Sequence, residues 1–232
     1  VFDFGSSDDG VFFVAMELLD GMDLGAIVER IGRMPAARVI HLSRQICDSL
    51  AEAHERGIIH RDIKPANLFV TRVAEAYDFA KVLDFGLARV NASDSHATVD
   101  SMRGTPAFMP PEIVKGETPS PASDIYSMGA VLYWMITGSP VFRGNFHEAV
   151  VAHVEKEPEL PSKRITDPVP ADLDALVMKC LAKNPADRYP TAKELGEALS
   201  KCNDANDWSA DAARGAWGEL RPSATRMETV SS

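Results

Sequence analysis

The chain of 232 residues is 45% apolar and 25% charged, which supplies enough apolar material for one sizeable core or two small ones. Its formal net charge of −10 argues against a nucleic-acid-binding surface, because such surfaces are usually basic. The cysteines have neither CxxC nor Cys/His spacing, so we expect reduced thiols, a cytoplasmic location and no zinc site; they are Cys47, Cys180 and Cys202.

We expect neither a membrane span nor a signal peptide within this sequence. No apolar run approaches the ~18 residues of a bilayer span, so we expect no membrane span within this chain and leave open an anchor outside it. The sequence starts at Val1, with neither Met nor a signal peptide, and we expect it to be an excerpt of a longer protein.

Short strands and one amphipathic helix are predicted in the first half. The runs VFDF and VFFVAME, separated by GSSDDG, predict a β-hairpin. From Pro35 to Arg56 apolar residues recur at helical spacing, and Gly57 is expected to end this helix. The pieces NLFV and AKVLDFG predict two further strands, joined by a polar connection of about ten residues.

The second half is predicted to be mainly helical. Residues 89–108 are polar and lack periodicity, which indicates a long surface loop. The stretch SDIYSMGAVLYWMITG is apolar on nearly every side and predicts a buried helix that begins at Ser123 or Asp124 and ends at Gly138. Further helices are predicted at about 145–156, 171–182 and 191–201, and a linker or tail, with isolated Trp208 and Trp217, is predicted at 203–232.

Five motifs follow one another at informative distances: HRDIKPANL at 60–68, DFG at 84–86, GTPAFMPPE at 104–112, DIYSMG at 124–129 and NPADRY at 184–189. In this order they resemble the C-terminal lobe of a eukaryotic-type, bacterial serine/threonine protein kinase over about residues 1–201. The resemblance implies an α+β, protein-kinase-like fold: a mainly helical C-terminal lobe with short β-hairpins, and only the last two strands of the small lobe. It also implies three parts, namely the end of the small lobe and the hinge at 1–19, the C-terminal lobe at 20–202, and the linker or tail at 203–232.

The resemblance implies the chemistry of γ-phosphoryl transfer from ATP to Ser or Thr hydroxyls of protein substrates, which depends on positioning and charge neutralisation. By resemblance, Asp62 accepts or orients the proton of the substrate hydroxyl, and Lys64 brings positive charge to the phosphate. Asn67 and Asp84 resemble the ligands of Mg²⁺, for which Mn²⁺ is an alternative, and oxygen ligands suit such hard cations. Thr105 resembles the residue that seats the acceptor hydroxyl.

Part of an adenosine site is implied as well. Met16 resembles the residue that gates the back pocket, the segment from Glu17 to Leu19 resembles the hinge that reads the adenine edge, and Asp23 is placed to reach the ribose. The expected apolar floor consists of Leu24 and Phe69. No counterpart of the family's glycine-rich loop, strand lysine or helix glutamate precedes these residues, so we expect this chain alone to bind ATP weakly and to be inactive.

Other matches imply supporting roles. His60 and Phe85 would stack in the core, Gly86 completes the DFG motif, Asp124 would hold the backbone of the 60–67 loop, and Glu112 would pair with Arg188. His54 resembles a packing position at a helix end.

Regulation is implied at the long loop. Arg61 and Arg89 would bind a phosphate on Ser101, with Thr98 as the second candidate site. Ser101 as an ordinary solvated hydroxyl is the alternative. A dimer could serve phosphorylation of this loop.

Two other functions compete with the protein kinase. A pseudokinase-like docking or regulatory module would bind partners without catalysis, although the intact set of Asp62, Asn67 and Asp84 argues against it. A small-molecule kinase of related fold would lack the 89–108 loop and the PPE segment, both of which are present here.

Overall fold

The structure is a computed structural model, and it describes residues 3–6, 11–15, 17–85 and 106–220. The strands are short and antiparallel, in two sheets. Strands β1 (Asp3–Ser6) and β2 (Phe12–Ala15) form the predicted hairpin, and a second sheet has the order β3 (Gly21–Asp23), β4 (Leu68–Val73) and β5 (Ala76–Val82).

The connection between β4 and β5 is shorter than predicted. Both strands extend beyond their apolar runs and meet in a tight turn at Ala74 and Glu75, because polar residues can continue a strand on its solvent side. The pairs Thr71–Phe79 and Val73–Ala76 show that β5 carries one residue more than β4 between them. This β-bulge contains Asp78, whose φ of 54° is unusual for a residue with a side chain.

Helices supply about half of the described chain, which confirms the predicted α+β class. They are α1 (Leu24–Ile31), α2 (Ala36–Glu55), α3 (Pro111–Val114), α4 (Pro121–Thr137), α5 (Phe146–Glu155), α6 (Pro161–Arg164), α7 (Ala171–Cys180), α8 (Ala192–Ser200) and α9 (Ala210–Leu220). Short 3₁₀ turns lie at Pro65–Asn67, Pro106–Phe108 and Pro185–Asp187. No helix in the described ranges is both long enough and apolar enough to cross a bilayer.

Helix α2 is the predicted amphipathic helix, and its apolar side packs against α8 and β5. Its buried residues recur three or four apart, as an amphipathic helix requires, and include Val39, Ile46 and Leu50. Gly57, with a φ of 75°, follows its C-terminal end and adopts a left-handed conformation that glycine allows without strain.

Helix α4 is buried along nearly its whole length, as its apolar sequence predicted. It begins at Pro121, before the predicted Ser123 or Asp124, because proline suits the first helical position and Ser120 supplies an extended N-cap. Gly138, with a φ of 68°, ends it as predicted. The early start places Asp124 in the first turn, where it faces the 60–67 loop.

The stretch predicted as a linker or tail contains a helix in its described part. Helix α9 contacts β5 and α1, and its Trp217 is only 7% exposed. Ala213, Trp217 and Leu220 lie four and three residues apart and form one buried stripe, which the surrounding Ala and Gly residues conceal in the sequence.

Candidate functional site

The 60–67 loop is anchored by the buried carboxylate of Asp124, which is 1% exposed. Its Oδ2 atom accepts a hydrogen bond from the backbone N–H of His60 at 2.8 Å, and its Oδ1 atom accepts one from Arg61 at 2.9 Å. The Nε2 atom of His54 lies 2.8 Å from Oδ2. Arg61 has a φ of 70°, so the anchored backbone makes an unusual turn immediately before Asp62.

Asp62 is bound by two side chains of its own loop. The Nζ atom of Lys64 lies 2.7 Å from Asp62 Oδ2. Asn67 Nδ2 donates to the same oxygen at 3.0 Å and to the Asp62 carbonyl at 2.8 Å, because the Pro65–Asn67 turn folds the chain back on itself. The Asp62 side chain is still 44% exposed, so it is oriented by its neighbours and remains accessible to solvent.

The end of β5 brings Asp84 beside this loop. The backbone N–H of Leu83 donates to the carbonyl of Asn67 at 2.8 Å, and the Leu83 carbonyl lies 2.8 Å from His60 Nε2. The rings of His60 and Phe85 have centroids 4.9 Å apart, as the predicted stacking requires. Asp84 therefore lies between two residues that contact the loop, and its φ of 60° gives the backbone another sharp turn.

The donor set suits a small hard cation bound together with phosphates. Asn67 uses its Nδ2 atom on Asp62, which leaves its Oδ1 atom to act as a ligand, and Asp84 supplies a carboxylate. Among the residues that the structure describes, no three His, Cys, Asp or Glu side chains form a metal cluster. Mg²⁺ is commonly held by one or two protein oxygens plus substrate phosphates, so Asn67 and Asp84 fit this ion.

A cavity of about 940 Å³ lies next to Asp84. Its wall includes Glu17, Leu18, Leu19 and Phe69, and Lys81 Nζ lies 2.6 Å from Glu17 Oε2 at its edge. The volume is at the upper end of the range for ligand pockets of small molecules. Glu17, Leu19 and Phe69, which the sequence predicted as nucleotide-binding, thus line one cavity with Asp84.

Two predicted nucleotide contacts do not line this cavity. Leu24 is completely buried in the core and does not line the cavity. Asp23 Oδ1 accepts a hydrogen bond from the backbone N–H of Ala26 at 3.0 Å, so this carboxylate caps the N-terminus of α1.

The predicted ion pair between Glu112 and Arg188 is present beneath the site. Two hydrogen bonds of 2.7 and 2.8 Å join the guanidinium to the two carboxylate oxygens, and Ser123 Oγ adds a third bond of 2.8 Å to Glu112. Burial would raise the pKa of Glu112, but the hydrogen bonds and charge of Arg188 outweigh burial, and the pKa is lowered from its usual value.

Several predicted residues lie outside the described ranges, and they are Met16, Gly86, Arg89, Thr98, Ser101 and Thr105.

Two contacts of the site were not predicted from the sequence. His54 contacts the Asp124 carboxylate in addition to packing at its helix end, and Lys81 pairs with Glu17. Their partners are 70 and 64 residues away, so no local spacing signals these contacts.

Comparison with known proteins gives a family match over most of the chain. Residues 2–198 match the family model described as the protein kinase domain. The chain is 40% identical over 195 residues to the serine/threonine-protein kinase PknB of Mycolicibacterium smegmatis, covering 83% of this chain and 30% of the relative. It is 36% identical over 205 residues to the serine/threonine-protein kinase pkn3 of Myxococcus xanthus, covering 86% and 38%. The chain thus spans about a third of the length of these curated relatives.

Solved structures agree on the fold. The kinase domain of Mycobacterium tuberculosis PknI aligns with a TM-score of 0.63 and 24% sequence identity, over 86% of this chain and 69% of that one. A variant of that domain, in which alanine replaces one cysteine, aligns with a TM-score of 0.64 and the same identity, over 86% and 68%.

Proposed function

This chain belongs to the protein kinase domain family, and from that premise we propose that it is the catalytic lobe of a serine/threonine protein kinase, which transfers the γ-phosphate of ATP to Ser or Thr hydroxyls of proteins. One observation carries the proposal. Lys64 and Asn67 both bind the carboxylate of Asp62, and the backbone of Asn67 also holds the segment that carries Asp84. These contacts support the proposal, because they bring an acid and a cation close to two oxygens that are suited to bind a metal ion.

Each side chain has a role in this chemistry. Asp62, oriented by Lys64 and Asn67 and still exposed, accepts or orients the proton of the acceptor hydroxyl. Lys64 brings positive charge towards the transferred phosphate, where it complements the charge that the phosphoryl oxygens carry. Thr105, which lies outside the described residues, is proposed to seat the acceptor hydroxyl.

Asn67 and Asp84 are the proposed ligands of Mg²⁺, with Mn²⁺ as an alternative. The ion, when bound, neutralises phosphate charge and orients the phosphates. The protein's contribution is to hold the two oxygens in place, through the Asn67–Leu83 backbone bond and the His60–Leu83 contact.

The cavity beside Asp84 is the proposed adenosine site. Backbone groups of Glu17–Leu19 would read the base, Phe69 would contact its face, and Met16 would gate the interior. Asp23 and Leu24 stay proposed contacts of the ribose and of the apolar floor, although neither lines this cavity: Asp23 Oδ1 caps α1 and Leu24 is buried in the core.

Control of the enzyme is proposed at the long loop. A phosphate on Ser101, or on Thr98, would bind Arg61 and Arg89 through charge-assisted hydrogen bonds and so order the loop. Phosphorylation between two copies of the protein would require a transient dimer.

The cytoplasmic location is also part of the proposal and rests on the three buried, unpaired thiols.

The experiment is a transfer assay with the intact protein, γ-labelled ATP, Mg²⁺ and a mixed protein substrate, followed by phosphoamino-acid analysis. We expect label on serine and threonine, and its loss in Asp62→Asn but not in the exposed control Asp187→Asn. ATP binding without any transfer would favour the docking module instead. We also propose that the 232-residue chain alone transfers phosphate negligibly, since these residues include no counterpart of the glycine-rich loop.

A further inference from the structure

Residues 203–220 follow the last residue matched by the family model, residue 198, and they carry Trp208 and Trp217, to which the kinase motifs assign no role. We call these residues the strap. Helix α9, which belongs to the strap, packs on β5, the strand that leads to Asp84.

Trp208 binds a buried ion pair. Its Nε1 atom donates to Asp78 Oδ2 at 3.1 Å. Arg38 donates two bonds of 2.9 Å to the two oxygens of the same carboxylate, and its guanidinium carbon lies 5.4 Å from the centre of the Trp208 ring. The side chains of Arg38 and Asp78 are 1% and 0% exposed, so the indole contacts a pair that is fully buried.

Trp217 contacts the residue of β5 next to Asp78. Its ring centre lies 6.2 Å from that of Tyr77, and the guanidinium carbon of Arg214 lies 5.7 Å from the centre of the same Tyr77 ring. Tyr77 and Asp78 belong to the β-bulge, so both tryptophans of the strap contact the bulge.

The bulge is connected to the candidate site through β5, whose backbone is held by the Gln45 side chain and by pairing with β4. Gln45 Nε2 donates to the Asp78 carbonyl at 3.0 Å, and Gln45 Oε1 accepts from the Ala80 N–H at 3.1 Å. From there β5 runs to Leu83, whose N–H and carbonyl bind Asn67 and His60. A bulge sets the direction of its strand, so the conformation of Asp78 affects where β5 delivers Asp84.

We infer that the strap holds the β5 bulge in its left-handed conformation and that Trp208 is thereby a positioning residue for Asp84. The positioning part rests on the proposed function, since it assigns Asp84 to metal–nucleotide binding. The inference that the strap holds the bulge rests only on the contacts of Trp208 and Trp217.

Hydrogen exchange in the 232-residue chain tests the strap without any need for activity. Trp208→Phe keeps a ring beside Arg38 but loses the N–H donor, and Trp208→Ala loses both. We expect exchange at the Ala80 and Leu83 amides to accelerate about threefold in Trp208→Phe and about tenfold in Trp208→Ala, with the α2 amide of Ile46 unchanged. Val177→Ala, which creates a cavity in the buried face of α7, is the matched control for general destabilisation and should not accelerate β5 selectively.

Wild-type exchange at Leu83 in Trp208→Ala would overturn the inference. Faster exchange at the Ala80 amide alone would also overturn the positioning role. Trp208 would then be only a local structural contact of the bulge.

Kinetics of the intact protein supply the second readout. Trp208→Ala should raise the Mg²⁺ concentration for half-maximal activity about fivefold while the KM for protein substrate changes less than about twofold. Val177→Ala should change neither. An unchanged Mg²⁺ requirement in Trp208→Ala would overturn the positioning role. An inactive wild-type protein would instead contradict the proposed function. In that case hydrogen exchange alone would test whether the strap holds the bulge.

Discussion

Asp62 and Lys64 form an ion pair of 2.7 Å at the surface of the 60–67 loop, and the pair shares its carboxylate oxygen with Asn67 Nδ2. Three polar side chains of one short loop therefore restrain each other's rotamers. Because Asp62 is still 44% exposed, this restraint orients the acid without covering it.

Asp62→Asn in the intact protein should lower kcat by at least ~10²-fold, the scale of a positioned general base. The affinity for ATP should change less than about twofold, because Asp62 is proposed to face the acceptor hydroxyl. Steady-state kinetics and calorimetric titration of the nucleotide would measure the two effects. A parallel loss of ATP affinity would contradict this role.

Asp84→Asn should weaken binding of the Mg²⁺–nucleotide complex about tenfold, because a neutral amide is a poorer ligand of a hard cation. Titration of Mg²⁺·ADP, compared with ADP in a chelator, would separate the metal contribution. Asp48→Asn, which changes another acid at the cavity wall, is the matched control. Equal losses in both variants would point to a general charge effect.

Arg188→Met should destabilise the protein by roughly 3–5 kcal/mol, because it leaves the Glu112 carboxylate buried without its partner. Urea unfolding would measure this change. Adding Glu112→Gln should recover a large part of the loss, since no charge is then left buried. A double variant as unstable as the sum of the single variants would show that the two residues act independently.

Acid should destabilise the fold through His153, a completely buried residue of α5. Burial, together with the charge of Lys183, lowers the pKa of His153 from 6.5 to about 4. The unfolded chain therefore binds a proton below pH 6.5 that the folded chain does not bind. Above that pH this group does not reduce the free energy of unfolding. As the pH drops from 6.5 to about 4, the free energy of unfolding falls by up to roughly 3 kcal/mol.

His153→Gln keeps a hydrogen-bonding partner for the Tyr126 hydroxyl and removes the titration. It should flatten the pH dependence of stability between about 6.5 and 4, whereas the exposed control His147→Gln should not. Glu112, whose pKa is lowered, contributes separately: its stabilisation is present above its ordinary value of 4.5 and is lost as the pH falls through the folded-state pKa.

The double variant Ser101→Ala/Thr98→Ala should lose most of its activity if phosphate on the long loop is the switch. Peptide mapping of the intact protein would first locate the phosphate, and the single variants would assign it to one residue. Wild-type activity in the double variant would exclude the switch at both sites.

Features that depend on neighbours in the sequence were predictable. The spacing of Asp62, Lys64 and Asn67 is local, and α4 is apolar on all sides, so the loop and the buried helix follow from short windows. The start of α4 was misplaced because Pro121, which suits a first helical position, precedes the apolar run.

Features that depend on distant partners were not predictable. Trp208 appears isolated because its partner Asp78 lies 130 residues earlier, and the strap therefore resembled a tail. The left-handed conformation of Asp78 was likewise not predictable, because its side-chain partner Arg38 is 40 residues away and Asp78 stands within an ordinary strand-like sequence.

The anchoring of the 60–67 loop by Asp124 has a consequence for synthesis of the protein. Asp124 follows His60 by 64 residues, so the ribosome completes the loop well before its anchor exists. At ~5–20 residues per second, the interval is roughly 3 to 13 seconds. During that time the backbone turn at His60 and Arg61 has no Asp124 carboxylate to hold it, although Lys64 and Asn67 are already present beside Asp62. The loop can acquire its final shape only after the first turn of α4 has left the ribosome.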